Sequence, residues 1–440
     1  MGGLAMAKIS RPILEYKEII TSAGISVDDY SPPKKTMKRF IRLLKEVEDT
    51  RIEKMTDYPL YEIVIIAFLA VLSGASDWEG IELFGRARTK WLSKFLKLEK
   101  GVPSHDTFRR VFSLINPEQL QKATVLFLME NMEKIRKSLK IENGSKRLIC
   151  VDGKEQKGTG RKYGSSSELR NLQTLHIYDA SNGICLFSQP IDAKTNEIPT
   201  AQEILKDMQL KDSIVSFDAL HTQKKTIELI TKQKGDYVGA LKGNHEIFAS
   251  EVAEYFTEET LKNIKKEGVN YYKSLEKAHS QVETRRFYLC TSIYWFADKK
   301  DWKNLKGFVC YEKTIYNTIT GKETKETRYY ITSLTDMELC VEAIRGHWSV
   351  ENQLHWHLDF SFNEDDNTTT DKNAFNNLSM LNKLSLTLLK LAQPLMQKKK
   401  ISIRSMRKVF GWSTEESVAM ILNAFDDETL LNALENVKKQ

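Results

Sequence analysis

Cysteine is scarce in this 440-residue chain and is not arranged for use. The five residues, at 150, 185, 290, 310 and 340, are odd in number and contain no CxxC pair. That excludes a disulfide framework and a structural zinc site, and it fits a reducing, cytosolic compartment. Three of them lie in apolar β-type runs, where a thiol acts as a small hydrophobe. Long apolar runs are missing too. The longest, 63–72, is too short to span a bilayer, which takes about 20 residues, so no membrane partner is expected. There is no secretory signal, internal repeat or long low-complexity tract. The five residues before Met6 read as a vector scar and are left out of the fold reading.

What is present is the make-up of a folded, multidomain protein. Charged residues at 28% and hydrophobic ones at 41% are ordinary for a globular chain, and the length suits about three domains. The net charge of +7 permits a nucleic-acid partner without requiring one. Residues 1–50 form a basic segment. In it Lys34, Lys35, Lys38, Arg39, Arg42 and Lys45 interleave with Phe40, Ile41, Leu43 and Leu44, as in an amphipathic helix with either a solvated or a phosphate-binding face. Residues 51–143 read as all-α. Pro59 suits a first turn, 60–72 is a buried helix, and a second helix begins near Asp77. The pattern breaks at 101–106 and resumes as a helix over 107–114, with Arg109 and Arg110 early in it. This is compatible with a helix-turn-helix reader of DNA and equally with a plain packing unit.

From 147 the pattern turns to strands, at 148–152, 172–178 and 184–189, the last two flanking the hairpin signal Ser181-Asn182-Gly183. A helix over 200–209, a strand at 214–218, a helix over 222–234 closed by Gly235 and a strand at 237–241 follow. The order β-β-β-α-β-α-β is that of a ribonuclease-H-like mixed sheet, in which the first and fourth strands are neighbours. Further strands at 282–296, 306–316 and 327–334 read as a β-rich insertion. The expected architecture is therefore an α/β catalytic core (144–242 and 340–395) carrying an insertion (243–339). An all-α N-terminal domain precedes it, and a helical tail (396–440) follows.

Three acids stand out against this frame. Asp152 ends the run Ile149-Cys150-Val151, Asp218 ends Ile214-Val215-Ser216-Phe217, and Glu351 sits in the helical stretch Arg345-Gly346-His347-Trp348-Ser349-Val350-Glu351. Adjacent first and fourth strands would bring the two aspartates together. A lone strand-end aspartate is ordinarily a cap. Two of them with a late helical glutamate form a set of hard oxygen ligands suited to divalent metal against a phosphodiester. His347, Glu351 and His355 share one helix face by spacing. A zinc reading lacks its HExxH, because His245-Glu246 is followed by Ile-Phe-Ala. Lys154, Lys157, Arg161 and Lys162 lie in a Gly/Ser-rich loop after the first acid, either solvated or touching DNA. Trp295 and Trp302 suit core packing or stacking on an unpaired base.

These residues resemble the DDE-type insertion-sequence transposases, in particular the H-repeat-associated (ISAs) family. The likeness runs from about Tyr58 to Leu391. Its pieces are Tyr58-Pro59-Leu60, Ser73-Gly74-Ala75, Ser104-His105-Asp106-Thr107-Phe108, Val151-Asp152-Gly153-Lys154, Asn196-Glu197-Ile198, Asp218-Ala219 with Thr222-Gln223, Leu241-Lys242-Gly243-Asn244, and His347-Trp348 with Val350-Glu351-Asn352. Each is weak; their joint order is specific. Related cut-and-paste transposases read Tyr-Arg-x-Arg-Trp-x-Ile-Glu around the last acid, with a lysine seven residues on. Arg345, Trp348, Val350 and Glu351 match, while Ile344, His347 and Leu358 depart. The resemblance implies Asp152, Asp218 and Glu351 as catalytic metal ligands for Mg²⁺, with Mn²⁺ able to substitute. Asp152 would bridge two ions, and each of the others would complete one. It further implies double-stranded DNA partners (terminal inverted repeats and target DNA), a homodimer on DNA and a nucleoid-associated, cytoplasmic location. Lys242, Asn244, Arg345 and His347 join the loop lysines, Arg109 and Arg110 as expected DNA contacts. Glu197 carries no assigned role. A DNA-binding relative without activity, and a nuclease without strand transfer, remain the competing readings.

Overall fold

The computed structural model describes residues 9, 11–23, 34–52, 54, 56–139, 146–160, 171–191, 197–278, 280–396, 401–423, 430–431 and 434–436. Arg161, Lys162 and Asn196 lie outside them. A single nine-stranded sheet runs through the molecule. Its strands are β1 Arg147–Gln156, β2 Leu172–Asp179, β3 Ile184–Ile191, β4 Ser213–Phe217, β5 Asp236–Leu241, β6 Tyr271–Ala278, β7 Gln281–Cys290, β8 Gly307–Asn317 and β9 Glu323–Thr332. Their order is β3-β2-β1-β4-β5-β9-β8-β7-β6. β1, β4 and β5 are parallel and every other pairing is antiparallel. The first five strands have the ribonuclease-H-like arrangement. β4 is buried throughout and β1 is buried and apolar over Leu148–Val151, the stretch that pairs with it, as parallel strands covered on both faces must be.

The stretch between the core strands and the glutamate is not hydrogen-bonded as a separate sheet. β9 pairs with β5 over Val238↔Thr332 to Leu241↔Tyr329, so β9, β8, β7 and β6 continue the same ladder outward. Two helices at its start, Glu246–Tyr255 and Glu258–Glu267, and the strand β6 are additions to the expected pattern. β6 is mostly exposed, so its residues do not alternate in hydropathy and leave no strand signature. Trp302 is buried against Phe248, and Trp295 stacks on Tyr255 at 4.6 Å. Both serve the aromatic core of this extension.

The N-terminal helices share their core with the sheet. Helix Leu60–Leu72 is buried at every position but Tyr61, and one apolar cluster runs from it through helix Lys372–Ala392 to Leu148 and Cys150 of β1. Helix Trp78–Ala87 starts at Asp77, whose carboxylate accepts the Gly80 N–H at 2.7 Å. Helix His105–Leu114 follows, capped by Ser104, and Trp78 packs on Phe112. Among the described residues no helix is long and apolar enough to cross a membrane.

Helix Met337–His347 lies across β1 and β4 and delivers the glutamate. Its close approach depends on Gly346, where a Cβ would stand 2.2 Å from Leu148 Cδ2. The Gly346→Ala variant should lose about 1–3 kcal/mol of stability through overpacking, read as a lower denaturation midpoint. An unchanged midpoint would show that the helix can lift without cost.

Candidate active site

Backbone register builds the first half of the site. β1 and β4 pair in parallel from Arg147↔Ser213 to Val151↔Phe217, so Asp152 and Asp218 each stand one residue beyond the last pair, side by side. Asp152 Oδ1 accepts the N–H of Gly153 at 3.0 Å. Asp218 Oδ1 accepts the N–H groups of Leu220 and His221 at 3.0 and 3.3 Å. The segment after Asp218 is tied down by its own motif. Thr222 Oγ1 donates to Ala240 O at 2.6 Å, Gln223 Nε2 donates to Leu220 O, and the Asn244 amide donates to Ala219 O. Asn244 thereby gains a structural role.

The third acid arrives on distorted helix. After Met337–His347 the chain winds as a π-helix over Val350–His355, and the Trp356 N–H reaches back to Glu351 O. His347, Glu351 and His355, expected on one helix face, differ in exposure. Glu351 is exposed. His347 turns beneath the sheet end, with Nδ1 3.1 Å from Ser216 Oγ on β4. His355 turns inward, its Nδ1 3.7 Å from Asp152 Oδ2 and its Nε2 2.9 Å from Nδ1 of His176, the β2 residue opposite Asp152. A carbonyl freed by the π-turn, Gln353 O, is taken by the buried Lys390 ammonium. Such single π-turns are frequent at functional sites.

The electrostatics are those of crowded negative charge. Burial, then Asp218 and Glu351, push the Asp152 carboxyl up to about 7. Burial pulls His347 down to about 4 and His355 down to about 3, so both rings are neutral near pH 7. Among the described residues no Lys or Arg makes an ion pair with Asp152, Asp218 or Glu351. Carboxylates without a cationic partner offer the hard oxygen ligands that a divalent cation takes, so the residues suit a divalent metal ion. Among the described residues no three His, Cys, Asp or Glu side chains are already drawn into a closed ligand set.

Several residues expected to touch DNA are engaged elsewhere. Lys154 is 7% exposed and reaches Asp359 Oδ1 at 2.5 Å and Gln156 Oε1 at 2.9 Å, with Asp365 and Glu364 at 3.6 and 3.9 Å. It is a buried clamp between β1 and the segment after the glutamate, and burial removes it from any phosphate. Arg345 pairs with Glu276 of β6 at 2.6 Å. His347 is half-buried and its Nδ1 is engaged by Ser216 of β4. Lys157, Lys242, Asn244, Arg109 and Arg110 are exposed, with Arg109 3.2 Å from Asp106. His176 against His355, His221 whose backbone N–H donates to Asp218, and Lys390 at Gln353 O were not singled out from the sequence. The signal for His176 was a histidine inside the apolar run of β2.

A ribonuclease-H-like sheet with two strand-end aspartates and a helical glutamate defines the DDE class of nucleic-acid enzymes. Residues 143–388 match the family model described as "Transposase DDE domain", and residues 28–128 match "DDE_Tnp_1-associated". The chain is 34% identical over 298 residues to the "Uncharacterized protein in dhlA 3'region" of Xanthobacter autotrophicus, covering 68% of this chain and 94% of that protein. The "H repeat-associated putative transposase" proteins YhhI and YbfD of Escherichia coli (strain K12) are 29% and 28% identical. The matches cover 80% and 58% of this chain and 90% and 94% of theirs. The chain belongs to the DDE transposase family, in its H-repeat-associated branch.

Two outcomes follow from the charges. In chelator-treated protein Asp152→Asn should raise stability at pH 8 and leave it unchanged near pH 4. The folded pKa lies above the unfolded value of about 3.9, so the charge penalises folding. The penalty is absent below about pH 4, grows up to about pH 7 and is complete above it. Screening at a partly exposed side chain leaves it on the order of 2 kcal/mol. Melting curves that coincide with wild type at both pH values would discount the crowding. Lys154→Met should cost about 3 kcal/mol, because it strands the buried Glu364 and the half-buried Asp359 and Asp365; an unmoved urea midpoint would count against the clamp.

Proposed function

We propose that this transposase binds the terminal inverted repeats of its element, cleaves them with divalent metal and joins the ends to target DNA. The observation that carries this reading is the β1–β4 register, which sets Asp152 beside Asp218 with no Lys or Arg among the described residues paired to either. Asp152, Asp218 and Glu351 would hold Mg²⁺ or Mn²⁺, which when bound activates an oxygen nucleophile and stabilises the leaving oxygen. Water attacks the phosphorus and the P–O3′ bond breaks; the freed 3′-hydroxyl then attacks a phosphorus of the target strand, whose own P–O3′ bond breaks and releases a target 3′-hydroxyl. His355, neutral and 3.7 Å from Asp152, orients that carboxylate without competing as a positive charge. Lys157, Lys242, Arg109 and Arg110 are exposed cationic side chains suited to phosphate, and Asn244 is exposed two residues after Lys242. Pairing of two ends implies a homodimer on DNA, acting at the nucleoid.

The test is cleavage of DNA from the flanks of this gene with Mg²⁺, Mn²⁺ or EDTA. Wild type should cut at a repeat boundary only with metal and yield strand-transfer products. Asp152→Asn, Asp218→Asn and Glu351→Gln should cut below detection while retaining DNA binding. Wild-type cutting by any one variant removes that residue from the site. Binding without cutting under every metal condition points to a DNA-binding relative instead, and cutting without joined products to a nuclease.

A further inference from the structure

Glu197 begins helix Glu197–Asp207, between β3 and β4, and is 5% exposed. Its carboxylate lies against the backbone of Gly153, the residue after Asp152. A Cβ at position 153 would stand 2.5 Å from Glu197 Oε1 and 3.0 Å from Oε2. On its other side Oε1 is 3.0 Å from His221 Nε2. The His221 backbone N–H donates to Asp218. One buried acid is thus wedged between the segment that follows the first aspartate and the segment that follows the second.

Buried carboxylates ordinarily have a cationic partner. Among the described residues Glu197 has no Lys or Arg within ion-pair distance, only the imidazole. The His221 ring is itself 1% exposed, and its Nδ1 is buried without a hydrogen-bond partner. With the proton on Nε2, the ring's polar tie is therefore the one to Glu197.

We propose that Glu197 is a fourth acid of the candidate site, held by His221, and that its charge strengthens the field that retains a divalent cation at Asp152 and Asp218. The inference rests on the reading of the site as a metal-dependent transposase centre. Glycine at 153 is then a requirement of the site, since a side chain there would displace the carboxylate. A glutamine at 197 keeps the shape and an acceptor for His221 and removes only the charge, which separates an electrostatic role from a packing one.

The experiment is titration of the full-length protein with Mn²⁺ alone, followed by calorimetry, with the metal-free melting temperature as fold control. Glu197→Gln should melt within a few degrees of wild type and bind Mn²⁺ roughly tenfold more weakly, the size expected for one nearby charge acting on a divalent ion. Gly153→Ala, which keeps the acid but moves it, should weaken binding in the same direction. It reads the same quantity should the glutamine variant not fold. Wild-type affinity in either folded variant, with binding lost in Asp152→Asn, overturns the fourth acid and leaves the site reading standing. Wild-type affinity in Asp152→Asn overturns the site reading itself.

Discussion

The parallel pairing of β1 with β4 is the constraint on which the rest of the structure depends. Five backbone partners, from Arg147↔Ser213 to Val151↔Phe217, force two carboxylates to stand side by side at a half-buried sheet end. Like charges so placed repel, and the surroundings hold them without cancelling them. Backbone N–H groups of Gly153, Leu220 and His221 supply partial positive charge. The rings that touch the site, His347 and His355, are kept neutral by burial. A lysine in their place would satisfy the aspartates and remove their demand for metal.

The extension of the sheet and the long C-terminal helix explain how a glutamate on a separate element is held near that pair. Arg345 bridges to Glu276 on β6, and Trp348 lies under Arg328 of β9 and Lys313 of β8. Helix Lys372–Ala392 grips the π-turn through Lys390 and, through Ser379 and Asn382, fixes Glu364 beside Lys154. Arg407 joins Ser361 to Val71 and Ala75 and so ties the N-terminal helices to the helix after the glutamate. Several cations here support protein carboxylates, carbonyls and rings, and those remaining for a polyanion are fewer than the composition suggests.

The five core strands were legible because each is a short apolar run bounded by turn chemistry, and because their order admits few topologies. The site acids were legible for a related reason, since a charge ending a buried strand is unusual enough to notice. The role of Lys154 was not. Its partners Asp359, Glu364 and Asp365 lie some 200 positions away, and a lysine in a Gly-rich stretch looks solvated when those partners are out of view. The π-turn was hidden because nothing local to Val350–His355 distinguishes it from an α-helix; a tertiary contact, Lys390 on Gln353 O, secures it. β6 escaped because its two faces are both wet. Glu197 carried a motif but no chemistry until the fold set it against Gly153.

The sequence distances within the site also order events in time. Ribosomal synthesis runs from the N-terminus, and β1, β4 and β5 can pair long before the glutamate is made. The π-turn and the Lys154 clamp both lean on helix Lys372–Ala392. The complete set of three acids is therefore among the last features the emerging polypeptide acquires. A copy of the gene interrupted between β5 and that helix encodes the paired aspartates without a supported third acid, so such damage leaves the three-acid arrangement incomplete.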